Sequence, residues 1–354
     1  MSVMLVNCSG CRTPLQLPPG AQSIRCALCH QITHVATRSA PTSFHSTPSP
    51  VQHFQPPLQP QYTPTPPHPG GSKKALIVGI SYKYTRYELK GCLNDAKCMK
   101  FLLQNRFHFP EASILMLTEE ERDPVRRPTG HNIRMAMFWL VQGCKPGDSL
   151  VFHFSGHGSQ QRNLYGDERD GMDETICPVD FESQGMIVDD EINTAIVRPL
   201  IPGVKLHAII DACHSGTVLD LPWLCRMNRH GQWAWEDHQS SRVFKGTSGG
   251  ECYSFSGCDD NQTSADTSAL SKVTSTGAMT FCFIQAVERG EASTYASLLT
   301  SMRSSILRAN SGSRGVTDLI GMLLSGGSFT GNQLTQEPQL TSAARFDVNS
   351  PFRL

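Results

Sequence analysis

One thiol and one imidazole stand in matching settings in this 354-residue chain. Cys213 lies in KLHAIIDACHSG (205–216), where an apolar run, 206–210, ends in a polar turn of small residues. His157 lies in DSLVFHFSGHG (148–158), where a second apolar run, 149–154, ends in Ser-Gly-His-Gly. A short apolar run closed by such a turn reads as a buried parallel strand. The C-terminal edge of an open α/β sheet is where such folds carry out their chemistry. A cysteine is a strong nucleophile once a base takes its proton, so the pair reads as nucleophile Cys213 and general base His157. A lone cysteine is more often a small core hydrophobe; the twin setting is what favours catalysis. The backbone N–H groups of Gly158 and Cys213 are candidates for an oxyanion hole. No third, orienting residue follows from the sequence, so the expectation is a dyad. His214 points away if Cys213 faces the cleft, and His153, inside its strand, reads as a packed core histidine. Asp211 precedes the nucleophile by two and faces the same side, where a carboxylate can select a cationic side chain. Asp95 opens a helical pattern and reads equally well as a second carboxylate of that pocket or as a helix N-cap.

These residues need a sheet to hold them. Strand patterns at 75–79, 113–117, 149–154, 206–210 and 252–256 alternate with helical patterns at 93–103, 131–142 and 192–200. That order implies a mostly parallel sheet with right-handed crossovers. Helices over 277–288 and 294–307, a Gly/Ser-rich connection near 310–332 and a strand within 338–346 follow. The stretch 221–250 holds three of the four tryptophans but loses periodicity, and reads as an exposed loop.

Composition narrows the function classes. Formal net charge is +0, so nothing global points to nucleic acid or an anionic membrane. No apolar run approaches the roughly 18 residues of a membrane span. The N-terminus lacks a basic region followed by a long apolar one, and the thirteen cysteines are an odd number. They read as reduced thiols or metal ligands in a cytosolic protein with nuclear access, not as a disulfide framework of a secreted one.

Two regions outside the dyad carry their own chemistry. Cys8-x-x-Cys11 and Cys26-x-x-Cys29 fit one tetrahedral Zn²⁺ held by four thiolates, a closed structural site whose purpose is binding. The bland alternative is four unconnected thiols. A protein partner suits this module better than nucleic acid, because Arg12 and Arg25 are a poor phosphate footprint. Residues 38–72 hold ten prolines and read as a disordered linker. Between the two catalytic strands, residues 167–191 carry ten acids against one base, Arg169. Clustered carboxylates on loops suit a hard cation such as Ca²⁺, although the spacing is not that of an EF-hand.

HFSGHG (153–158) and DACHSG (211–216) resemble the metacaspases, within the clan of caspase-like cysteine peptidases. The cysteine knuckles, with CRTPLQLPPGAQSIRC at their core, resemble the plant lesion-simulating-disease type zinc finger; with the proline-rich linker they look like the plant type I arrangement. The resemblance implies a caspase–haemoglobinase fold with a six-stranded, mainly parallel sheet flanked by helices. It divides the chain into a zinc module (1–37), a linker (38–72) and a peptidase domain (73–354). Within the last, a large-subunit region (about 73–225) and a small-subunit region (about 251–354) flank the 221–250 loop. It implies cleavage after Arg or Lys, with Cys92, Asp95, Ser155 and Asp211 forming the pocket for the basic side chain. It implies an activating Ca²⁺ held by Asp173, Asp189, Asp190 and Asp220. Candidate self-cleavage sites are Arg226, Arg229, Arg242 and Lys245. A role in plant cell death and defence comes with the family. The competing expectation is a scaffold acting through its zinc finger and linker.

Overall fold

The structure is a computed structural model. It describes residues 4–7, 14–17, 23–25, 32–34, 71–163, 168, 171–212, 216–227, 232–238, 244–257, 266–267, 276–310 and 338–354. The chain divides into two compact units, Met1–Gln59 and Pro60–Leu354.

In the first unit, β1 (Met4–Asn7) pairs antiparallel with β2 (Pro14–Leu17), and β3 (Ser23–Arg25) with β4 (Ile32–His34). Cys8 and Cys11 belong to the β1–β2 connection, Cys26 and Cys29 to the β3–β4 connection. The four cysteines themselves, and the linker expected from 38, lie outside the described residues up to 71.

The second unit is built on an eight-stranded sheet. Its strands are β5 (Lys73–Gly79), β6 (Ile114–Thr118), β7 (Ser149–Ser155), β11 (Lys205–Asp211), β12 (Trp223–Met227), β13 (Trp233–Asp237), β14 (Glu251–Ser256) and β17 (Gln339–Ser342). Their order is β13-β12-β17-β14-β11-β7-β5-β6. The run from β14 to β6 is parallel, and β17 lies antiparallel against β14, giving the six mainly parallel strands expected. The hairpin β12–β13 extends the sheet by two antiparallel strands. It comes from the stretch read as a loop. Its pattern was hidden because two five-residue strands sit inside a thirty-residue window without periodicity. Burial also comes from afar: Trp235 packs on Phe346 and donates from Nε1 to its carbonyl at 3.1 Å.

Helices cover both faces. Period-two alternation sends Leu76, Val78, Phe152, Phe154, Leu206, Ala208 and Ile210 to one side, against α2 (Gly130–Val141). It sends Ala75, Ile77, Val151 and Ile209 to the other, against α1 (Cys92–Asn105), α5 (Ala278–Glu288) and α6 (Tyr295–Asn310). Each fully buried Leu, Ile or Phe contributes roughly 1.5–3 kcal/mol, so the central strands are fixed in register by burial on both faces. A second, three-stranded sheet joins β8 (Gly158–Arg162), β9 (Met172–Ile176) and β10 (Ile187–Val188). The short helices α3 (Phe181–Gln184) and α4 (Asp189–Ile192) flank β10, and α4 runs on into a π-helical turn, Asn193–Val197. The two-residue strands β15 (Asp266–Thr267) and β16 (Thr276–Gly277) pair just ahead of α5. Among the described residues no helix is long and apolar enough to cross a membrane.

Candidate active site

β7 and β11 are parallel neighbours with Ser155 opposite Asp211. In sequence, His157 and Cys213 each follow that matched pair by two residues. Cys213, like His214, lies outside the described residues; Asp211 and Ala212 lead into it and Gly216 follows it.

His157 is held from three sides. Its backbone N–H donates to Tyr82 Oη at 2.9 Å, and its carbonyl accepts from Cys177 N at 3.0 Å. The imidazole lies 4.7 Å from the Tyr82 ring and 6.3 Å from the Tyr87 ring, centroid to centroid. Nε2 is 2.8 Å from the Tyr87 carbonyl oxygen. A carbonyl only accepts, so this bond makes Nε2 the N–H and leaves Nδ1 as the basic nitrogen. The orienting group that the sequence withheld is thus a backbone carbonyl, which no residue type advertises.

The loop bearing Tyr87 is anchored unusually. Tyr82 and Tyr84 have φ of 50° and 64°, a left-handed conformation that costs non-glycine residues about 1–2 kcal/mol each. The Glu119 carboxylate offsets this by accepting from Ser81, Tyr82 and Lys83 N at 2.5, 3.0 and 2.9 Å. Tyr82 Oη, fully buried, donates to the Cys177 carbonyl at 2.6 Å. Gly158 opens β8 opposite Ile176, next to the turn in which an oxyanion hole was expected.

The four pocket residues are brought together and all are buried: Cys92, Asp95, Ser155 and Asp211. Asp95 lies in the first turn of α1 but does not cap it; the cap position is Gly91, with no side-chain bond. Its carboxylate instead accepts from Ser155 Oγ at 2.7 Å and from Gly277 N at 3.0–3.1 Å. Asp211 Oδ2 accepts from Thr280 N at 2.7 Å. The N-terminus of α5 therefore faces both acids with backbone N–H groups and the positive end of its dipole. Gly277 must be glycine for space: a Cβ there would run into the Asp211 carboxylate. Gly277 and Thr280 are contacts that the sequence reading missed; a glycine opening the helical pattern at 277–288 was the only signal.

His153 is a core residue as expected. Nδ1 donates to the Ile209 carbonyl at 2.9 Å, Nε2 has no partner, and burial lowers its pKa to about 4.

The acidic segment sets Asp189 near the charges of Asp220, Glu174 and Glu168. Asp173, Asp189 and Asp220 are buried, and so is Glu174. Glu174 N and Asp190 N donate to Asp189 at 3.1 and 2.8 Å, Asn163 Nδ2 donates to Asp173, and Thr217 Oγ1 to Glu174 at 2.6 Å. Glu168 and Glu174 join through space although the resemblance did not single them out. Burial pushes Asp189 up to about 10, reinforced by the charges of Asp220, Glu174 and Glu168. Among the described residues no three His, Cys, Asp or Glu side chains form a ready-made metal site. A lysine stands there instead: Lys245 Nζ bonds Asp220 Oδ1 at 2.6 Å and the Glu168 carboxylate. Lys245, expected as a self-cleavage site, is only 5% exposed and so is closed to a protease in this state. Arg226 lies within β12, bonded to Glu236 at 3.2 Å, and Arg229 and Arg242 lie outside the described residues.

Residues 73–222 match the family "Metacaspase, peptidase C14 domain", and residues 8–32 match the LSD1 zinc finger. With the sheet and its flanking helices, these matches define a cysteine-type peptidase of caspase-like fold carrying an N-terminal zinc-finger module. Metacaspase-1 of Arabidopsis thaliana is 65% identical over 361 residues, spanning 99% of this chain and 96% of that protein. Metacaspase-2 of the same plant is 51% identical over 99% of this chain and its own full length. A solved structure from Geobacter sulfurreducens shares the fold at a TM-score of 0.52 and 20% identity, covering 80% of this chain and 97% of its own. The chain belongs to the metacaspases, in the type I arrangement of plants.

Proposed function

We propose that this metacaspase is an endopeptidase that cleaves after Arg or Lys, with Cys213 as nucleophile and His157 as general base. The observation that carries the reading is the register of β7 on β11. It sets His157 and Cys213 at one offset and Ser155 beside Asp211, with Asp95 bonded to Ser155. Nδ1 of His157 takes the Cys213 thiol proton, while the Tyr87 carbonyl holds Nε2–H and stabilises the imidazolium. The thiolate adds to the scissile carbonyl carbon, and N–H groups of Gly158 and Cys213 receive the developing oxyanion. The intermediate collapses by expelling the amine, which takes the proton from His157. Water, deprotonated by the same imidazole, then hydrolyses the thioester. Asp95 and Asp211, joined through Ser155 and with Cys92 in the same set, select the basic side chain by charge.

Four thiolates, Cys8, Cys11, Cys26 and Cys29, are proposed to hold Zn²⁺ and so present the N-terminal module to a protein partner. Ca²⁺ is proposed to bind Asp173, Asp189, Asp190 and Asp220. When bound it supplies charge neutralisation that ties 173–190 to the turn after Cys213, not chemistry at the scissile bond. Cytosolic and nuclear action in cell death and defence is part of the same proposal. The test is hydrolysis of Arg-ended and Asp-ended peptides by purified protein, with and without CaCl₂. Arg-selective, Ca²⁺-stimulated turnover that is lost in Cys213→Ala is expected; equal cleavage of both peptides would refute the specificity.

A further inference from the structure

The segment that offers the Tyr87 carbonyl to His157 is a closed loop. It leaves β5 after Ile80, whose N–H still donates to the Ser155 carbonyl at 2.9 Å. Leu89 N shuts its base by donating to the Ser81 carbonyl at 2.8 Å. Inside it, Thr85 N and Thr85 Oγ1 donate to the Tyr82 carbonyl at 3.2 and 2.7 Å, and Tyr87 N donates to Thr85 Oγ1 at 3.1 Å. These bonds set the curl of the loop but not where it sits on the sheet. The core holds it at Tyr82, whereas Tyr84, Thr85, Arg86 and Glu88 are exposed.

Glu119 sets that position. It follows β6, the edge strand, and β5 lies between β6 and the His157 strand β7. Two strand spacings are roughly 10 Å, so Glu119 acts on His157 only through what it holds. Its carboxylate accepts from three consecutive backbone N–H groups, those of Ser81, Tyr82 and Lys83. Successive N–H groups turned to one anion form a nest, and bonds to a charged acceptor are the strong ones. Tyr82 in the middle of the nest and Tyr84 just past it take left-handed φ of 50° and 64°. A tyrosine has little intrinsic preference for that conformation, so the loop depends on the anion to keep it. Tyr82 also touches the base directly, through Oη and the His157 N–H at 2.9 Å. Glu120 adds ion pairs to Lys83 at 3.1 Å and Lys97 at 2.7 Å, but these are exposed and weak.

We propose that Glu119 is a positioning residue for the base: by fixing the 81–83 backbone it holds the Tyr87 carbonyl against Nε2 of His157 and so keeps Nδ1 free to take the thiol proton. The proposal rests on the dyad reading above and adds to it the residue that sets the tautomer. Without the Glu119 charge the left-handed residues relax and the Tyr87 carbonyl withdraws from Nε2. The imidazole proton then divides between the two nitrogens, and a molecule with Nδ1–H has no lone pair there for the thiol. The residues of the basic-side-chain pocket stand on α1, β7 and β11, and the hydrogen bonds of Asp95, Ser155 and Asp211 do not involve Glu119. Substrate binding is thus left in place while the chemical step slows.

Two readouts on the full-length chain test this. In turnover of an Arg-ended peptide with CaCl₂, Glu119→Gln is expected to lower kcat roughly ten- to a hundredfold, with KM within about twofold and Tm little changed. Adding Tyr84→Asn to Glu119→Gln is expected to recover kcat several-fold, because asparagine takes the left-handed conformation that tyrosine resists. A residue that only stabilised the fold would move Tm and give neither the split between kcat and KM nor the rescue. The second readout is nitrogen-15 NMR in alkaline buffer of the histidine-labelled chain carrying Cys213→Ala, with the His157 signals assigned through His157→Gln. It is expected to show one Nε2–H tautomer with Glu119 in place and a mixture with Glu119→Gln. An unchanged kcat, an unchanged tautomer, or a loss that Tyr84→Asn leaves in place overturns the proposal. If the unsubstituted chain cleaves neither Arg-ended nor Asp-ended peptides, the peptidase reading falls and the tautomer alone decides for Glu119. Should Glu119→Gln not fold, Glu119→Asp, one methylene shorter, is judged by the same two readouts.

Discussion

Asp95 and Asp211 are answered by the backbone of α5, whereas Asp220 and Glu168 are answered by the side chain of Lys245. The first pair stands on α1 and β11, and besides the Ser155 hydroxyl its partners are N–H groups at the start of an eleven-residue helix. The second stands on connecting segments, and its partner ends a four-carbon stem. Fixed dipoles preorganise a site at no cost when a ligand arrives. A side-chain ammonium can be exchanged for another cation. The difference leaves one cluster answered by fixed backbone dipoles and the other by one flexible side chain.

Substitutions break this comparison to different degrees. Asp211→Asn keeps an acceptor for Thr280 N and removes the charge. It is expected to lower kcat/KM for Arg-ended peptides on the order of 10²–10³-fold, or about 3–4 kcal/mol, with little change in Tm. A variant with wild-type kcat/KM would remove Asp211 from the pocket.

The buried histidines are a reference for burial with no counter-ion. His153 and His207 have folded pKa values of about 4 and about 3, below the ordinary 6.5. Protonation therefore favours the unfolded chain. The stability is full above pH 6.5 and is lost as pH falls through 4 and then 3, about 3 kcal/mol for His153 alone. Urea midpoints of the Cys213→Ala chain are expected to fall over that window, and His153→Gln should flatten the upper part. An unchanged profile would contradict the assignment.

Gly277→Ala forces a methyl against Asp211. It should cost roughly 1–3 kcal/mol, seen as a lower Tm, because neither the carboxylate nor the helix start has room to give. A neutral outcome would mean the α5 N-terminus adapts as freely as a side chain does.

The smallest effect is expected from Asp220→Asn. One carboxylate fewer raises the CaCl₂ concentration for half-maximal activity by about tenfold, with kcat at saturating CaCl₂ retained. Loss of kcat at saturation would instead tie Asp220 to the turn after Cys213 mechanically.

Much of the sheet that carries the candidate site was legible because its signals are local. The runs ending at His157 and Cys213 are strands buried on both faces, and burial makes them read as continuous apolar segments. Asp95 was ambiguous in sequence because the first turn of a helix suits a capping acid as well as a functional one; only Ser155 and Gly277, 60 and 182 residues away, settle its contacts. The hairpin β12–β13 was illegible because its burial depends on Phe346, more than a hundred residues later. Lys245 looked like an exposed basic residue among serines and glycines, since nothing nearby in sequence names Glu168 or Asp220.

The sequence by itself determined the residue types at the edge of the sheet, the parallel strands that deliver them, the cysteine knuckles and the acidic segment. Periodicity and spacing are properties of neighbouring residues, and they survive in a string of letters. Tertiary structure alone decided which nitrogen of His157 is basic, what faces Asp95 and Asp211, and which cation sits among the carboxylates. Each of those depends on a group distant in the chain, a backbone carbonyl at Tyr87, a helix start at Gly277 or an ammonium at Lys245, brought within 3.2 Å only by folding.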